Sequence, residues 1–250
     1  MTSGSEALLE VRAVSKSYGG VHAVDSASFT VHAGTTHCVI GSNGAGKTTL
    51  FDVVSGATKA SSGTIMFAGH DITRRGADHV SRLGLVRTYQ SPRPIPAMTA
   101  LANVELAAAG RAADYGLGKL LRHRSEVTER ARRLLELCHL GAGSSIASAL
   151  SHGARKRLEF AMALACEPRM LLLDEPTAGM NPEETDEMAA ILGGLNRELT
   201  VAIIEHDLAF VRRIADRVTF MHRGRVLCDG TLSEVESDER VQRIYVGRED

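Results

Sequence analysis

One nine-residue stretch limits what this chain can fold into more than any other feature. The pattern GxxxxGK[ST] occurs directly after an apolar run that ends at Ile40. Its residues are Gly41, Ser42, Asn43, Gly44, Ala45, Gly46, Lys47, Thr48 and Thr49. Glycines let the backbone of such a loop turn its N–H groups onto a phosphate, and the start of the next helix adds its positive dipole end. The stretch predicts a strand, a phosphate-binding loop and a helix in succession.

Two side chains of this loop have chemical roles of their own. Lys47 is expected to reach the β- and γ-phosphates of a nucleotide, and the Thr48 hydroxyl is expected to ligate Mg²⁺. The alternative is a glycine-rich turn without a ligand. The apolar residues that follow at helical spacing favour the phosphate-binding interpretation.

A pair of acids lies where a second strand of the same sheet is expected to end. Asp174 and Glu175 directly follow the apolar run 170–173. A phosphate-binding loop needs a carboxylate at the end of a neighbouring strand to hold the metal, which suits Asp174. Glu175, one residue further on, is placed to act as a general base on the attacking water. An isolated pair of acids would be interpreted as a solvated strand end, but the loop beside it favours the functional interpretation.

Hydrophobic periodicity predicts strands of two kinds. The short runs 8–14, 28–32 and 64–68 are separated by glycine-containing turns and predict a small antiparallel sheet. The runs 36–40, 170–173 and 201–205 are mostly continuous apolar stretches, as expected of parallel strands that are buried on both faces. Amphipathic spacing predicts helices over 125–140 and 155–166, and Asn181-Pro182 predicts another helix start.

Charge and hydropathy exclude several classes of protein. The 250 residues carry a net charge of −1 and have a pI of about 6.8, whereas a protein that binds nucleic acid electrostatically usually has a basic face. No apolar stretch approaches the 18 or so residues of a membrane-spanning helix, and the first residues do not resemble a secretory signal. We therefore expect a cytoplasmic protein.

Five landmarks in order along the chain resemble those of the ATP-binding subunit of an ATP-binding-cassette (ABC) transporter. Besides the loop, they are Tyr18, Gln90, Leu150-Ser151-His152-Gly153, the segment from Asp174 to Asn181, and His206. The resemblance covers residues 8–247. It implies an α/β fold with a P-loop NTPase (RecA-like) core, a mainly parallel sheet, an N-terminal antiparallel β subdomain and an inserted α-helical subdomain.

The resemblance also implies a division of the chain. Residues 1–250 would form a single ABC ATPase domain. The nucleotide-binding core with its antiparallel subdomain would comprise 8–90 and 159–250. The helical subdomain would comprise 91–158 and end in the signature motif.

Further site residues follow from the resemblance alone. Tyr18 lies where the family stacks an aromatic ring on adenine, Gln90 where it contacts Mg²⁺ and the attacking water, and His206 where it contacts the γ-phosphate. Their alternative interpretations are a surface tyrosine, an ordinary polar loop residue and a structural histidine. ATP and Mg²⁺ are the implied cofactors.

The signature motif departs from the commonest family form, LSGGQ. Ser151 and Gly153 are retained, and a serine hydroxyl, a small residue and a helix N-terminus suit a γ-phosphate contact. His152 and Ala154 replace a glycine and a glutamine. In the D-loop, the segment 178–181, Asn181 replaces the more common aspartate, so the terminal carboxylate becomes an amide.

These departures narrow the subfamily. The stretches 150–165, 174–185, 203–211 and 239–247 resemble those of the ATPases of importers for branched-chain and other hydrophobic amino acids, with the urea and short-amide branch close by. The resemblance implies a head-to-tail dimer with a second ATPase subunit of the same or a related chain. It also implies two membrane-spanning permease subunits and, indirectly, a substrate-binding protein. The chain would be peripheral on the inner face of the plasma membrane, with no nucleic-acid partner.

Two other classes remain open at this stage. A soluble ABC ATPase of DNA repair or translation usually carries a second cassette, a long coiled coil or basic extensions. A P-loop kinase would not explain Ser151, Gly153 and His206.

Overall fold

The computed structural model describes residues 6–88, 94–112, 124–195 and 199–245. These ranges form two β-sheets and a set of helices. The predicted α/β fold is confirmed, because the described residues combine a mainly parallel sheet, an antiparallel sheet and helices. Residues 89–93 lie outside the description, so Gln90 has no structural account.

The antiparallel sheet has the strand order β2-β1-β4-β5. Its strands are β1 (Ala7–Tyr18), β2 (Val21–His32), β4 (Ser62–Phe67) and β5 (His70–Asp71). The turn Gly19-Gly20 joins β1 to β2, and both glycines have positive φ. The predicted runs 8–14, 28–32 and 64–68 therefore pair as expected, although β1 and β2 extend to this turn.

The second sheet has six strands in the order β10-β9-β3-β8-β7-β6. They are β3 (Thr36–Gly41), β6 (Leu85–Arg87), β7 (Met170–Asp174), β8 (Thr200–Ile204), β9 (Arg217–His222) and β10 (Arg225–Gly230). Every pair except β9–β10 is parallel. The carboxyl ends of β3, β7 and β8 therefore lie along one edge of the sheet, where ligands of such folds bind.

Side chains of the central strands alternate between two hydrophobic cores. In β3, Cys38 and Ile40 pack into one core and Val39 into the other. In β7, Leu171 and Leu173 face the first core, whereas Met170 and Leu172 face the second. Burial on both faces explains why these strands have continuous apolar sequences.

Nine α-helices lie within the described ranges. They are α1 (Lys47–Val54), α2 (Ala77–Arg82), α3 (Ala100–Ala112), α4 (Arg124–Leu137), α5 (His152–Ala165), α6 (Pro182–Gly194), α7 (Leu208–Ile214), α8 (Leu232–Ser237) and α9 (Glu239–Tyr245). Helices α3, α4 and α5 follow β6, precede β7 and pack against one another. None of the helices in these ranges is long and apolar enough to span a membrane. The subdomain boundaries 91–158 stay a prediction.

Two predicted helix boundaries are wrong for local reasons. Helix α4 ends at Leu137, not at residue 140, because His139 takes a left-handed φ of 54°. Helix α5 begins at His152, not at residue 155, because the Ser151 hydroxyl accepts a hydrogen bond from the Ala154 N–H and caps it. The predicted start of α6 is confirmed, with Asn181 and Glu184 forming a capping box.

A fully buried histidine lies within the six-stranded sheet. His37, on β3, contacts Thr219 Oγ1 through Nε2 at 2.7 Å, and Thr219 Oγ1 donates to Asp229 Oδ1 at 3.1 Å. Burial lowers the pKa of His37 to about 4, outweighing the opposite effect of Asp229, which lies 3.8 Å away. His37 is therefore neutral in the folded protein at neutral pH.

We expect His37 to destabilise the fold as the pH falls. The unfolded chain, with an ordinary histidine pKa near 6.5, binds more protons than the folded chain between about pH 6.5 and pH 4. This one group should remove about 2 kcal/mol from the free energy of unfolding between pH 7 and pH 5. Urea denaturation at both pH values should show a smaller decrease for His37→Gln than for the wild type. The exposed His79→Gln is the control, and equal decreases in all three proteins would contradict the prediction.

Candidate nucleotide-binding site

The glycine-rich loop lies between β3 and α1, at the carboxyl edge of the six-stranded sheet. Gly46 has a φ of +94°, and a Cβ atom there would lie 2.1 Å from the carbonyl oxygen of Ala23. A Cβ on Gly41 would lie equally close to the carbonyl oxygen of Met221. Both positions therefore require glycine, and the backbone fit holds the loop against β2 and β9.

The loop lines an open cavity of about 490 Å³. The lining residues are Val21, His22, Ala23, Asn43, Gly44, Ala45, Gly46, Lys47, Thr48, Thr49, Glu175, Arg223 and Gly224. The phosphate-binding loop and the predicted general base thus face the same space. The antiparallel sheet contributes the wall formed by residues 21–23.

Lys47, the first residue of α1, is almost fully buried beneath the loop residues that precede it. Its Nζ donates to the carbonyl oxygens of Gly41 at 2.7 Å and Ser42 at 3.0 Å. Burial lowers the pKa of Lys47, and the nearby Glu175 and Asp174 oppose that shift. The ammonium group thus stabilises the loop and lies in the field of the two acids.

Asp174 ends β7 and is almost fully buried. Its Oδ2 accepts from Arg87 Nη2 at 3.2 Å, whereas Oδ1 is buried without a hydrogen-bond partner among the described residues. Burial raises the pKa of Asp174, and the Arg87 guanidinium opposes the shift.

These oxygens fit a magnesium ion. Mg²⁺ prefers carboxylate, hydroxyl and water oxygens, and a buried carboxylate oxygen without a partner calls for a cation or a water molecule. Thr48 is exposed and is one of the residues that line the cavity. The chemistry of these donors suits the metal that the sequence predicts. Asp174 itself is not part of the cavity wall that Thr48 and Glu175 share, and lines a smaller cavity with Thr88 and Lys156.

Glu175 adopts an unusual backbone conformation, with a φ of +47°. Its N–H donates to the Ile204 carbonyl at 3.0 Å, and its carbonyl accepts from Lys156 Nζ at 2.8 Å. Non-glycine residues in this region are strained and occur often at functional sites. The flanking bonds hold the backbone, so that the side chain lines the cavity.

Tyr18 lies at the end of β1, opposite Val21 across the Gly19-Gly20 turn. Tyr18 is half-exposed, and Lys16 Nζ lies 4.7 Å from the centre of its ring. Val21 lines the cavity, but Tyr18 itself does not. The structure thus brings the aromatic ring to the neighbourhood of the loop without placing it in the cavity wall.

His206 directly follows Glu205 at the end of β8, the strand beside β7. Its side chain is 59% exposed, and its Nδ1 lies 3.7 Å from Glu205 Oε2. His206 is not part of the cavity wall. Glu205 itself is fully buried and accepts hydrogen bonds from the Thr177 N–H and hydroxyl.

Ser151 and Gly153 lie away from the cavity of their own chain. The Ser151 hydroxyl donates to Glu184 Oε1 at 3.2 Å, and a Cβ on Gly153 would lie 2.4 Å from the same carboxylate. His152, which replaces a glycine of the common motif, contacts the Ala178 carbonyl through Nε2 at 3.2 Å. The signature motif is therefore bonded to the D-loop and to the first turn of α6.

Sequence reasoning missed several residues that organise this region. Arg87, Lys156, Glu184 and Glu205 all bond to predicted site residues or to the segments that carry them. The signal for Glu184 was its position three residues after Asn181, which is typical of a capping box. The bonds of Arg87 and Lys156 join segments far apart in sequence and leave no local pattern.

The chain shares its nucleotide-binding motifs with a known protein family. The model of the family described as ABC transporter matches residues 24–178, a range that includes the loop, the signature motif and the two acids. The chain belongs to the ABC transporter family. It is an ABC ATPase, as the resemblance predicted.

Two curated relatives of this ABC ATPase match it over nearly their full length, and a third over about half of its length. A probable branched-chain amino acid transport ATP-binding protein LivG of Archaeoglobus fulgidus is 35% identical, with 97% of this chain and 96% of the relative covered. The high-affinity branched-chain amino acid transport ATP-binding protein BraF of Pseudomonas aeruginosa is 34% identical over 97% and 99%. A ribose import ATP-binding protein RbsA 3 of Rubrobacter xylanophilus is 36% identical, but only 48% of its length is covered.

Solved structures of ABC transporter cassettes have the same fold. A nucleotide-free ATP-binding cassette superposes with a TM-score of 0.82 at 30% identity, covering 96% of this chain and 99% of the other. A cassette in its ADP conformation gives 0.83 at 31% identity, covering 97% and 100%. The predicted P-loop NTPase fold is thereby confirmed.

Proposed function

We propose that this ABC ATPase hydrolyses Mg²⁺-bound ATP to power the import of branched-chain or other amino acids, or of related small amides. One observation carries the catalytic part: the phosphate-binding loop and Glu175 line the same cavity. The transport part is supported by the branched-chain amino acid ATP-binding proteins, which match this chain over 96% to 99% of their length.

The loop supplies the binding energy for the phosphates. Backbone N–H groups of the loop, from Gly41 to Thr49, surround the phosphate chain, and the N-terminus of α1 adds its dipole. Lys47 turns from its two carbonyl partners to the β- and γ-phosphates. Tyr18 stacks on the adenine in this proposal, and its pairing with Val21, a residue of the cavity wall, supports the role.

Thr48, Asp174 and Gln90 hold the metal in this proposal. A metal ion held by these residues would supply charge neutralisation at the phosphates during hydrolysis. Asp174 contributes its unpartnered Oδ1, since Oδ2 is engaged by Arg87.

Glu175 accepts a proton from the attacking water, and its fixed backbone holds the carboxylate at the cavity. His206 contacts the γ-phosphate, and Gln90 contacts the water. Because His206 is exposed and outside the cavity wall, its contact requires closure of the site.

Ser151 and Gly153 serve the nucleotide of a second ATPase subunit, of the same or a related chain, in a head-to-tail dimer. Their position supports this role, because neither residue is part of the cavity that their own chain forms. Two permease subunits anchor the dimer at the inner face of the membrane, and a substrate-binding protein delivers the cargo.

Reconstitution tests the proposed function. The chain should co-purify with two permease subunits from the same organism, and in proteoliposomes its ATP hydrolysis should rise when leucine-loaded binding protein is added. Urea-loaded protein tests the short-amide branch. If the rate of ATP hydrolysis is unchanged by the membrane subunits but rises when DNA or RNA is added, the chain is instead a soluble ABC ATPase.

A further inference from the structure

Arg87 ends β6, at the edge of the six-stranded sheet, and enters the mechanism above only as the partner of Asp174 Oδ2. Its side chain is only 8% exposed, although the residue lies at the end of a three-residue strand. A nearly buried guanidinium is normally retained only with charged partners. Asp52 and Asp174 are charged partners of Arg87.

The guanidinium joins the strand of Asp174 to the helix that follows the phosphate-binding loop. Nη2 donates to Asp174 Oδ2 at 3.2 Å, and Nη1 donates to Asp52 Oδ1 at 2.5 Å. Nη1 also lies 3.5 Å from the Ser55 hydroxyl at the C-terminus of α1. One planar group thus links β6, α1 and β7.

The two carboxylate oxygens of Asp174 have different surroundings. Oδ2 is fixed by Arg87, and Oδ1 is buried without a hydrogen-bond partner in the described part of the chain. A carboxylate fixed through one oxygen presents the other in a single direction. Groups that hold metal-binding carboxylates in this way commonly change metal affinity by 10- to 100-fold when removed.

We propose that Arg87 is a positioning residue that fixes Asp174 through Oδ2 and so directs Oδ1 towards the metal that accompanies ATP. Asp52 in turn holds the guanidinium in place from α1. This inference rests on the proposed function, because it concerns the metal of that site. It adds a residue that neither the phosphate-binding loop nor the acidic pair contains.

Lysine cannot replace Arg87 fully. The guanidinium is a planar fork that bonds both carboxylates at once, whereas an ammonium group is a compact point charge. Arg87→Lys should therefore retain charge compensation for Asp174 but orient its carboxylate less firmly. Arg87→Gln removes the charge as well.

Metal binding is the decisive measurement. Mn²⁺ affinity is measured by electron paramagnetic resonance on the full chain with a non-hydrolysable ATP analogue. We expect Arg87→Gln to weaken Mn²⁺ binding by about tenfold and Arg87→Lys to give an intermediate loss. Affinity for the analogue in EDTA should stay within about twofold of the wild type, because the phosphate-binding loop is unchanged.

The matched control is Arg217→Gln. Arg217, on β9, forms an ion pair at 3.0 Å with Asp229 on β10. This variant should leave Mn²⁺ affinity unchanged. If Arg87→Gln lowered the melting temperature but left Mn²⁺ affinity at the wild-type value, Arg87 would be a structural ion-pair residue only. If Arg87→Gln does not fold, wild-type affinity of Arg87→Lys overturns the proposal in the same way.

The same experiment separates this proposal from the proposed function. A wild-type chain that bound neither the ATP analogue nor Mn²⁺ would contradict the nucleotide site itself. Normal binding in the wild type with no effect of Arg87→Gln would contradict only the role of Arg87.

Discussion

Replacing Glu175 by glutamine is expected to lower the steady-state rate of ATP hydrolysis by about 10²- to 10⁴-fold, the range typical of a lost general base. The amide has the same shape but cannot accept the proton of the attacking water. Because the Glu175 backbone is held by Ile204 and Lys156, the substitution should leave the cavity intact. Phosphate release from the purified chain, alone and with its transport partners, measures the effect.

Binding of ATP separates a chemical defect from a structural one. Glu175→Gln should bind ATP as tightly as the wild type, since the phosphate contacts come from the loop. The control is Glu183→Gln, an exposed glutamate in the first turn of α6, which should hydrolyse ATP normally. A Glu175→Gln rate within threefold of the wild type would refute the general-base assignment.

Removal of the Lys47 ammonium should weaken ATP binding by about 10- to 100-fold, since a hydrogen bond to a charged group contributes about 1.5–3 kcal/mol. Lys47→Ala also deletes the bonds to the carbonyls of Gly41 and Ser42. The loop then loses both its cation for the phosphates and an internal support. Calorimetric titration with ATP and Mg²⁺ measures the change in affinity.

A lysine elsewhere shows whether the loss is specific. Lys59 is exposed, so Lys59→Ala should bind ATP with wild-type affinity. Unchanged affinity of Lys47→Ala would mean that the cavity is not the phosphate site. A similar loss in both variants would point to a general effect of charge.

The parts of the fold that follow from neighbouring residues could be predicted from the sequence. The continuous apolar run of β3, the glycine-rich loop and the start of α1 depend on local chemistry, and the structure places them in succession. The start of α6 at Asn181 was likewise encoded in a few residues. Such signals do not depend on the rest of the fold.

Besides the two-residue strand β5, three strands of the six-stranded sheet were not predicted, because they are defined by their pairing partners. Strand β6 has three residues, β9 includes Arg217 and His222, and β10 is largely polar or half-buried. Strand β9 is stabilised by pairing with β3, from which it is separated by most of the chain. No local pattern of alternation reveals that pairing.

In the candidate site, too, the features that depend on neighbouring residues could be predicted and those that depend on distant residues could not. The loop, Asp174 and Glu175 carry motifs, whereas the bonds from Arg87 to Asp174 and from Ser151 to Glu184 join residues 87 and 33 positions apart. The contact of His152 with Ala178 explains one departure from the common signature motif. The sequence shows that His152 replaces a glycine, but it does not show that the histidine contacts the Ala178 carbonyl.

The attachment of the signature helix α5 to the segment 175–187 has a mechanical consequence. Four contacts join them: Lys156 with Glu175, His152 with Ala178, Ser151 with Glu184, and Arg157 with Glu187. These contacts restrain the helix relative to the segment 175–187, so we expect a displacement of the Ser151 end to be transmitted to the backbone of Glu175. A neighbouring molecule that bonds to the Ser151 hydroxyl would thereby be coupled to Glu175, the general base that we propose for this chain's own nucleotide.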